Sequence, residues 1–217
     1  HSLRGLIMSI LVLTSDTLVA SPSAGQIEYS SPIIAATTQG TQRGIVPNQQ
    51  YYRLDSGLAG ANVTTAQNLF GVGVTLSSST VYEFEIVTLL SKTAGTTSHT
   101  VGFGFGGTAT LNNILYYTTG NPSTTSGAAA GMSGAGSYGV VQTAANTSFL
   151  SSAQTNASLW LPLMVKGIVS INAGGTFIPQ YTLSAAPGGA YTTQAGSYMR
   201  IAPIGASGAN TSVGTWA

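Results

Sequence analysis

The side chains best suited to acid–base or metal chemistry are scarce in this chain: two histidines, five carboxylates and no cysteine. The histidines are His1 and His99; the acids are Asp16, Glu28, Asp55, Glu83 and Glu85. A metal centre needs His, Cys or carboxylate ligands gathered at short spacing. The sequence offers no such gathering, so neither a metal nor another cofactor is expected. Glu83 and Glu85 lie two apart in a strand-like run. Both then project from one face, with carboxylates about 7 Å apart, a separation a glycosidase pair tolerates. Carboxylates so spaced on a strand are more often a solvated face. Asp16, His99 and a serine would supply the members of a triad, yet no Gly-x-Ser-x-Gly elbow is present. Gly102-Phe103-Gly104-Phe105-Gly106-Gly107 imitates a phosphate loop but lacks the lysine and the following helix. No catalytic residues are assigned, and the expectation is a protein that is not an enzyme.

A recognition surface is the better use of these residue types. Ten tyrosines and two tryptophans accompany many Asn, Ser and Gly. In such a set aromatics supply rigid contact area and small polar groups adapt. Tyr51, Tyr52, Tyr116, Tyr117, Tyr138 and Tyr191 adjoin loops and are the candidate surface recognition residues. The plain alternative for each is an ordinary aromatic of a β-sandwich core.

Strands must carry these residues, because helical periodicity is nearly absent and strand-like runs are punctuated by Gly, Pro, Ser and Asn. Gln26 to Tyr29 and Ile33 to Thr37 flank Ser30-Ser31-Pro32 as a hairpin, and Gly40 to Asn48 reads as a linker containing Pro47. Val81 to Leu90 places Tyr82, Phe84, Ile86 and Leu90 on one face. Thr97 to Phe105 alternates His99, Val101, Phe103 and Phe105 with small residues. The polar link between these two runs suggests that they form a hairpin. Leu111 to Thr119, Leu159 to Ile171, Thr176 to Leu183 and Ser197 to Ile204 add further strands. Pro162 argues for an edge or a bulge in its run. Asn121 to Gly136 has no periodicity and reads as a long loop. The expected fold is all-β, a jelly-roll-like antiparallel β-sandwich with a small N-terminal β-hairpin extension. Residues 1–47 would be an attachment and oligomerisation segment and residues 48–217 the sandwich head domain.

Composition narrows the partners. Hydrophobic residues make up 43% of the 217, enough for a substantial core, but charged residues only 5% against a usual share of roughly 25%. Six basic and five acidic residues leave a net charge of +1. Without a basic stripe to neutralise phosphates, nucleic-acid binding is not expected. No apolar run approaches the ~20 residues of a membrane helix, so no membrane insertion is expected. The N-terminal residues have two readings. His1 to Leu13 followed by Leu18-Val19-Ala20-Ser21 has the look of a signal peptide; alternatively Ser9 to Ala20 is a strand rich in β-formers.

Several segments resemble proteins of tailed bacteriophages. Ala24-Gly25-Gln26-Ile27-Glu28-Tyr29 is similar to the A-G-x-x-E-Y-D-G hairpin that precedes terminal modules of many phage tail-fibre and virion proteins, with Ser30-Ser31 in place of Asp-Gly. Gln49 to Leu54, Phe70 to Leu76, Thr80 to Glu85, Thr97 to Thr100 and Ala195 to Gly205 resemble cyanophage-type virion structural proteins. The resemblance runs over most of the chain from about Leu18. It implies a trimeric, jelly-roll-like head on the exterior of the virion, in a tail fibre or head fibre that contacts the host surface. It also implies three kinds of partner: further copies of the chain, other virion proteins, and a host-surface glycan or protein. It brings no catalytic residues. Two other roles stay open, a capsid decoration or cement protein and, from the signal-like N-terminus, a secreted lectin-like adhesin.

The apolar residues Leu6, Ile7, Ile10 and Val12 exceed what the short segment around them can cover, and a two-stranded hairpin alone is marginal in water. Contacts with further copies or with a partner protein would cover them, closed symmetry being the usual arrangement; the alternative is that Leu6 to Leu13 folds back onto the sandwich of the same subunit. Deleting residues 5–20 is therefore expected to lower the oligomeric mass measured by light scattering. An unchanged mass in a folded truncation would remove these residues from the interface.

Overall fold

The computed structural model describes residues 12–120, 138–142, 149–150, 153–210 and 212–216. Sixteen strands and no helix occur among them. The first three form a separate antiparallel sheet: β1 (Ile27–Ser30), β2 (Ile33–Gln39) and β3 (Gln42–Val46). Ile33, Ala35 and Thr37 alternate inward along β2. The expected hairpin is β1–β2, turning at the cis Ser31-Pro32 peptide. The expected linker is instead largely β3. Gly40, at φ 54°, supplies the left-handed turn that folds it back on β2. Arg43 of β3 then pins the sheet: its Nε donates to Glu28 Oε2 at 2.8 Å, and its guanidinium also donates to the Val19 carbonyl. Residues 12–18 form no strand, so the strand reading of that region fails where it is described. They lie along β1 through a few bonds, such as Asp16 N–H to the Tyr29 carbonyl at 3.0 Å.

The remaining strands build a sandwich in which every pairing is antiparallel. At the centre of its larger sheet β8 (Thr80–Lys92) pairs with β13 (Leu159–Ala173) from Lys92 opposite Leu159 to Val81 opposite Ser170. Outside β13 come β10 (Thr110–Gly120) and then β11 (Tyr138–Gln142). The other side of β8 is shared along its length by β16 (Tyr198–Ala206) and β15 (Thr192–Thr193). Those are flanked by β4 (Gln50–Arg53) and β5 (Leu58–Ala59) respectively. The smaller sheet pairs β9 (Val101–Gly106) with β14 (Gly175–Leu183), and β12 (Phe149–Leu150) lies outside β9. β6 (Gln67–Asn68) and β7 (Val74–Leu76) share the far side of β14.

β8 and β9 are not a hairpin. Both sides of β8 are already paired, so the segment after Lys92 crosses to the opposite sheet and β9 pairs there with β14. β13 and β14 make the same kind of crossing at Gly174, where one continuous stretch leaves one sheet and enters the other. The corner is too tight for a side chain: a Cβ on Gly175 would lie 2.6 Å from the Ala109 amide nitrogen. Pro162 sits within β13 opposite Leu89 of β8, and among the described residues the β10–β13 ladder extends to Leu163.

Aromatic rings fill the gap between the sheets. Phe105 stacks on Phe177 with centroids 4.4 Å apart, and Phe84 meets both edge-on. Tyr116 packs edge-on against Phe103 and Phe105. Because Phe177 is 1% exposed and interlocked with two rings, Phe177→Ala should lower unfolding stability by about 3–5 kcal/mol. Urea denaturation checks this through a lower midpoint at unchanged slope.

Candidate functional site

Strand alternation separates the candidate tyrosines. Neighbouring residues of a strand point to opposite faces, so Tyr117 is half-exposed while Tyr116 is buried among Phe103 and Phe105. Tyr191 is fully buried as well, against His99 and Tyr181. Tyr116 and Tyr191 are therefore core residues and are withdrawn from the recognition surface. Tyr51 and Tyr52 are exposed on β4. Tyr52 turns toward Phe70 at the open edge between the sheets, with ring centroids 6.0 Å apart. Tyr138 begins β11, and its side chain lies outside the described residues. Of the proposed oligomer contacts, Leu6, Ile7 and Ile10 lie outside the described residues, and Val12 is 77% exposed.

Tyr51 and Tyr117 come together with charged residues on the outer face of the larger sheet. The registers of five adjacent strands align Tyr117, Lys166, Glu85, Arg200 and Tyr51 in one row across β10, β13, β8, β16 and β4. A parallel row holds Leu115, Ile168, Glu83 and Ala202. On the other side lie Thr119, Met164, Val87, Tyr198 and Arg53. With Pro47 and Gln49 as a wall, Tyr117, Lys166, Glu85 and Arg200 of the first row and all of the second line an open groove of about 820 Å³, and Tyr51 ends the first row just outside that lining. Leu115, Ile168 and Met164 are exposed beside the charged centre.

Glu85 holds the centre together. Its Oε2 accepts from Lys166 Nζ at 2.7 Å and from Arg200 Nη2 at 3.0 Å, and its Oε1 accepts from the Tyr198 hydroxyl at 2.8 Å. Only 8% of Glu85 is exposed, whereas the two cations stand up into solvent. The Lys166 hydrogen bond, against the opposing effect of burial and with help from Tyr198 and Arg200, holds the carboxyl at about 2. Glu85 thus stays ionised and is unsuited to the general-acid half of a glycosidase pair. The same bonds raise the Tyr198 phenol and the Arg200 guanidinium above their ordinary values. Tyr51 stacks on the Tyr198 ring fixed in this way, centroids 5.4 Å apart and planes 20° apart. Lys166 carries no motif in the sequence, and Tyr198 and Arg200, though within the Ala195 to Gly205 segment, are not singled out there as site residues. The legible signal is a scarce charge in mid-strand at a solvent-facing position.

The remaining polar groups of the interior are occupied structurally. His99 Nδ1 faces the Thr97 carbonyl at 2.8 Å, and a carbonyl only accepts. That nitrogen therefore carries a proton, and Nε2 pairs with the Tyr191 hydroxyl at 2.7 Å. The Tyr181 hydroxyl donates to Gln67 Oε1 at 3.0 Å, and burial pushes it up to about 12. Lys92 is buried without a carboxylate. Its ammonium donates to the carbonyls of Ala94, Gly95, Asn156 and Ala157, and burial lowers its pKa. No group of three or more potential metal ligands occurs among the described residues. Compared with protein-family models, curated proteins and solved structures, the chain matches none.

Glu85 also sets a pH dependence. Its folded value is depressed from the ordinary 4.5 to about 2, so its stabilisation is present above 4.5 and is lost as pH falls toward 2. Glu85→Gln should cost about 1–2 kcal/mol at pH 7. The gap from wild type should close between pH 4.5 and 2, as read by denaturant unfolding at several pH values.

Proposed function

We propose that this protein is a structural component of a tailed-phage virion, a non-enzymatic tail-fibre or head-fibre module on the particle exterior. In this reading it assembles as a homotrimer with other virion proteins and contacts the host surface through the outer face of its larger sheet. The observation that carries the host-contact role is the row Tyr117–Lys166–Glu85–Arg200–Tyr51, of which the first four line an open groove and Tyr51 stands at its end. Five strands of one sheet present it on a rigid scaffold, with exposed aromatics at both ends. The virion assignment draws on the resemblance of Ala24 to Tyr29, Gln49 to Leu54 and Ala195 to Gly205 to phage structural proteins. The low charge also fits, since neutral polar surfaces suit a chain whose edges and patches are covered by assembly.

Immunogold electron microscopy of purified particles tests the location. Label at the tail or projecting from vertices is the expected outcome. Dense label following the capsid lattice would replace the fibre by a decoration protein, and absence of label from particles would overturn the virion assignment.

A further inference from the structure

From the chemistry of the outer sheet face, and resting on the host-contact reading above, we infer that the groove binds an uncharged glycan lying across the strands. Tyr117 in the groove and Tyr51 just beyond it, at the other end of the same row, would be its stacking platforms, with Lys166 and Arg200 as its hydroxyl donors.

The arrangement of polar and apolar groups selects this class of ligand. A protein interface concentrates apolar groups at its centre and depletes charge there. Here the centre is an ion-paired cluster, and the apolar side chains Leu115 and Ile168 lie beside it. A nucleic acid or strongly anionic polymer needs a surplus of positive charge. The groove instead sets Lys166 and Arg200 against Glu83 and Glu85, a formal sum of zero. A polyhydroxylated chain fits both conditions. Its ring faces pack on exposed aromatics, and its hydroxyls bond to fixed polar groups without demanding net charge.

The donors are already oriented. Glu85 lies beneath them and holds Lys166 Nζ and Arg200 Nη2, while both side chains remain open to solvent. Binding therefore orders few free rotamers, which lowers the entropic cost of association. Tyr51 is held likewise, stacked on a Tyr198 ring whose hydroxyl is bonded to the same carboxylate. One buried oxygen pair thus positions two cations and, through Tyr198, one platform. Four strand spacings separate Tyr51 from Tyr117, about 19 Å at about 4.8 Å each, so the inference concerns a chain of several sugar rings and not a monosaccharide.

The test uses the full-length chain on an array of neutral and uronate-containing oligosaccharides, with calorimetry on the tightest binder. Binding of neutral oligosaccharides of three or more rings, little altered by raising salt, is the expected result. Tyr51→Ala and Tyr117→Ala should each weaken it at least tenfold, and Trp216→Ala, exposed and outside the groove's lining, should leave it unchanged. Both tyrosines are solvent-exposed, and if Tyr117→Ala does not fold, Tyr51→Ala decides alone. Absence of binding to any array member, binding confined to uronates and abolished by salt, or full affinity in Tyr51→Ala would each overturn the inference. Adsorption of the chain to host cells separates it from the reading beneath it. Adsorption that survives periodate but not protease would leave host contact standing and remove the glycan. Array binding without any adsorption would keep the glycan and remove host contact.

Discussion

The register between β8 and β13 is the constraint on which the rest of the molecule depends. Side chains alternate with period two, so a slip of one residue would exchange the two faces of a strand. In the register observed, Phe84, Ile86, Val165 and Val169 enter the core while Glu83, Glu85, Lys166 and Ile168 face outward. The buried set is strongly apolar, and a slipped pairing would place Glu85 and Lys166 among phenylalanines. Burial of several large side chains, each contributing roughly 1.5–3 kcal/mol, thereby fixes a polar geometry that contributes little stability itself. The ion pairs on the outer face are a consequence of the packing on the inner one.

Charge is used sparingly and in pairs. Arg43 meets Glu28, Arg53 meets Asp55, and Lys166 and Arg200 share Glu85. Lys92 is neutralised by backbone carbonyl dipoles instead of an acid. Arg43 joins the first and third strands of the small N-terminal sheet, and Lys92 ties segments far apart in the chain, so each does a different structural task. Exposed pairs such as Arg53–Asp55 contribute little. The cluster at Glu85 differs because its acceptor is buried and reached by three donors.

The sequence made the strand content legible wherever one face was apolar over many residues. Tyr82, Phe84, Ile86 and Leu90 marked β8, and Phe103 and Phe105 marked β9. It did not reveal which strands pair, because pairing is decided by distant partners: β8 finds β13 some eighty residues on, and the local polar link after Lys92 looks like any hairpin turn. It missed β3, a short run whose strand pattern is hidden by Gly44 and Pro47 and whose position is fixed by an ion pair to Glu28. Exposure of the tyrosines was half legible. In Tyr116-Tyr117 one ring must be inside and the other outside, and only the neighbouring sheet decides which. The candidate site was least legible of all, since its row is assembled from five strands and owes its order to register.

The passage of β13 through Gly174 into β14 has a mechanical consequence. β13 is hydrogen-bonded on both sides, to β8 and to β10, and the bonds of an antiparallel ladder run perpendicular to the strands. A pull along β13 loads both ladders in shear, so their bonds share the tension and yield together instead of unzipping singly. The same pull passes through the glycine corner to β14 and hence to the opposite sheet. Tension entering at one end of this strand is therefore spread over both layers of the sandwich, the behaviour of a tether and not of a clasp.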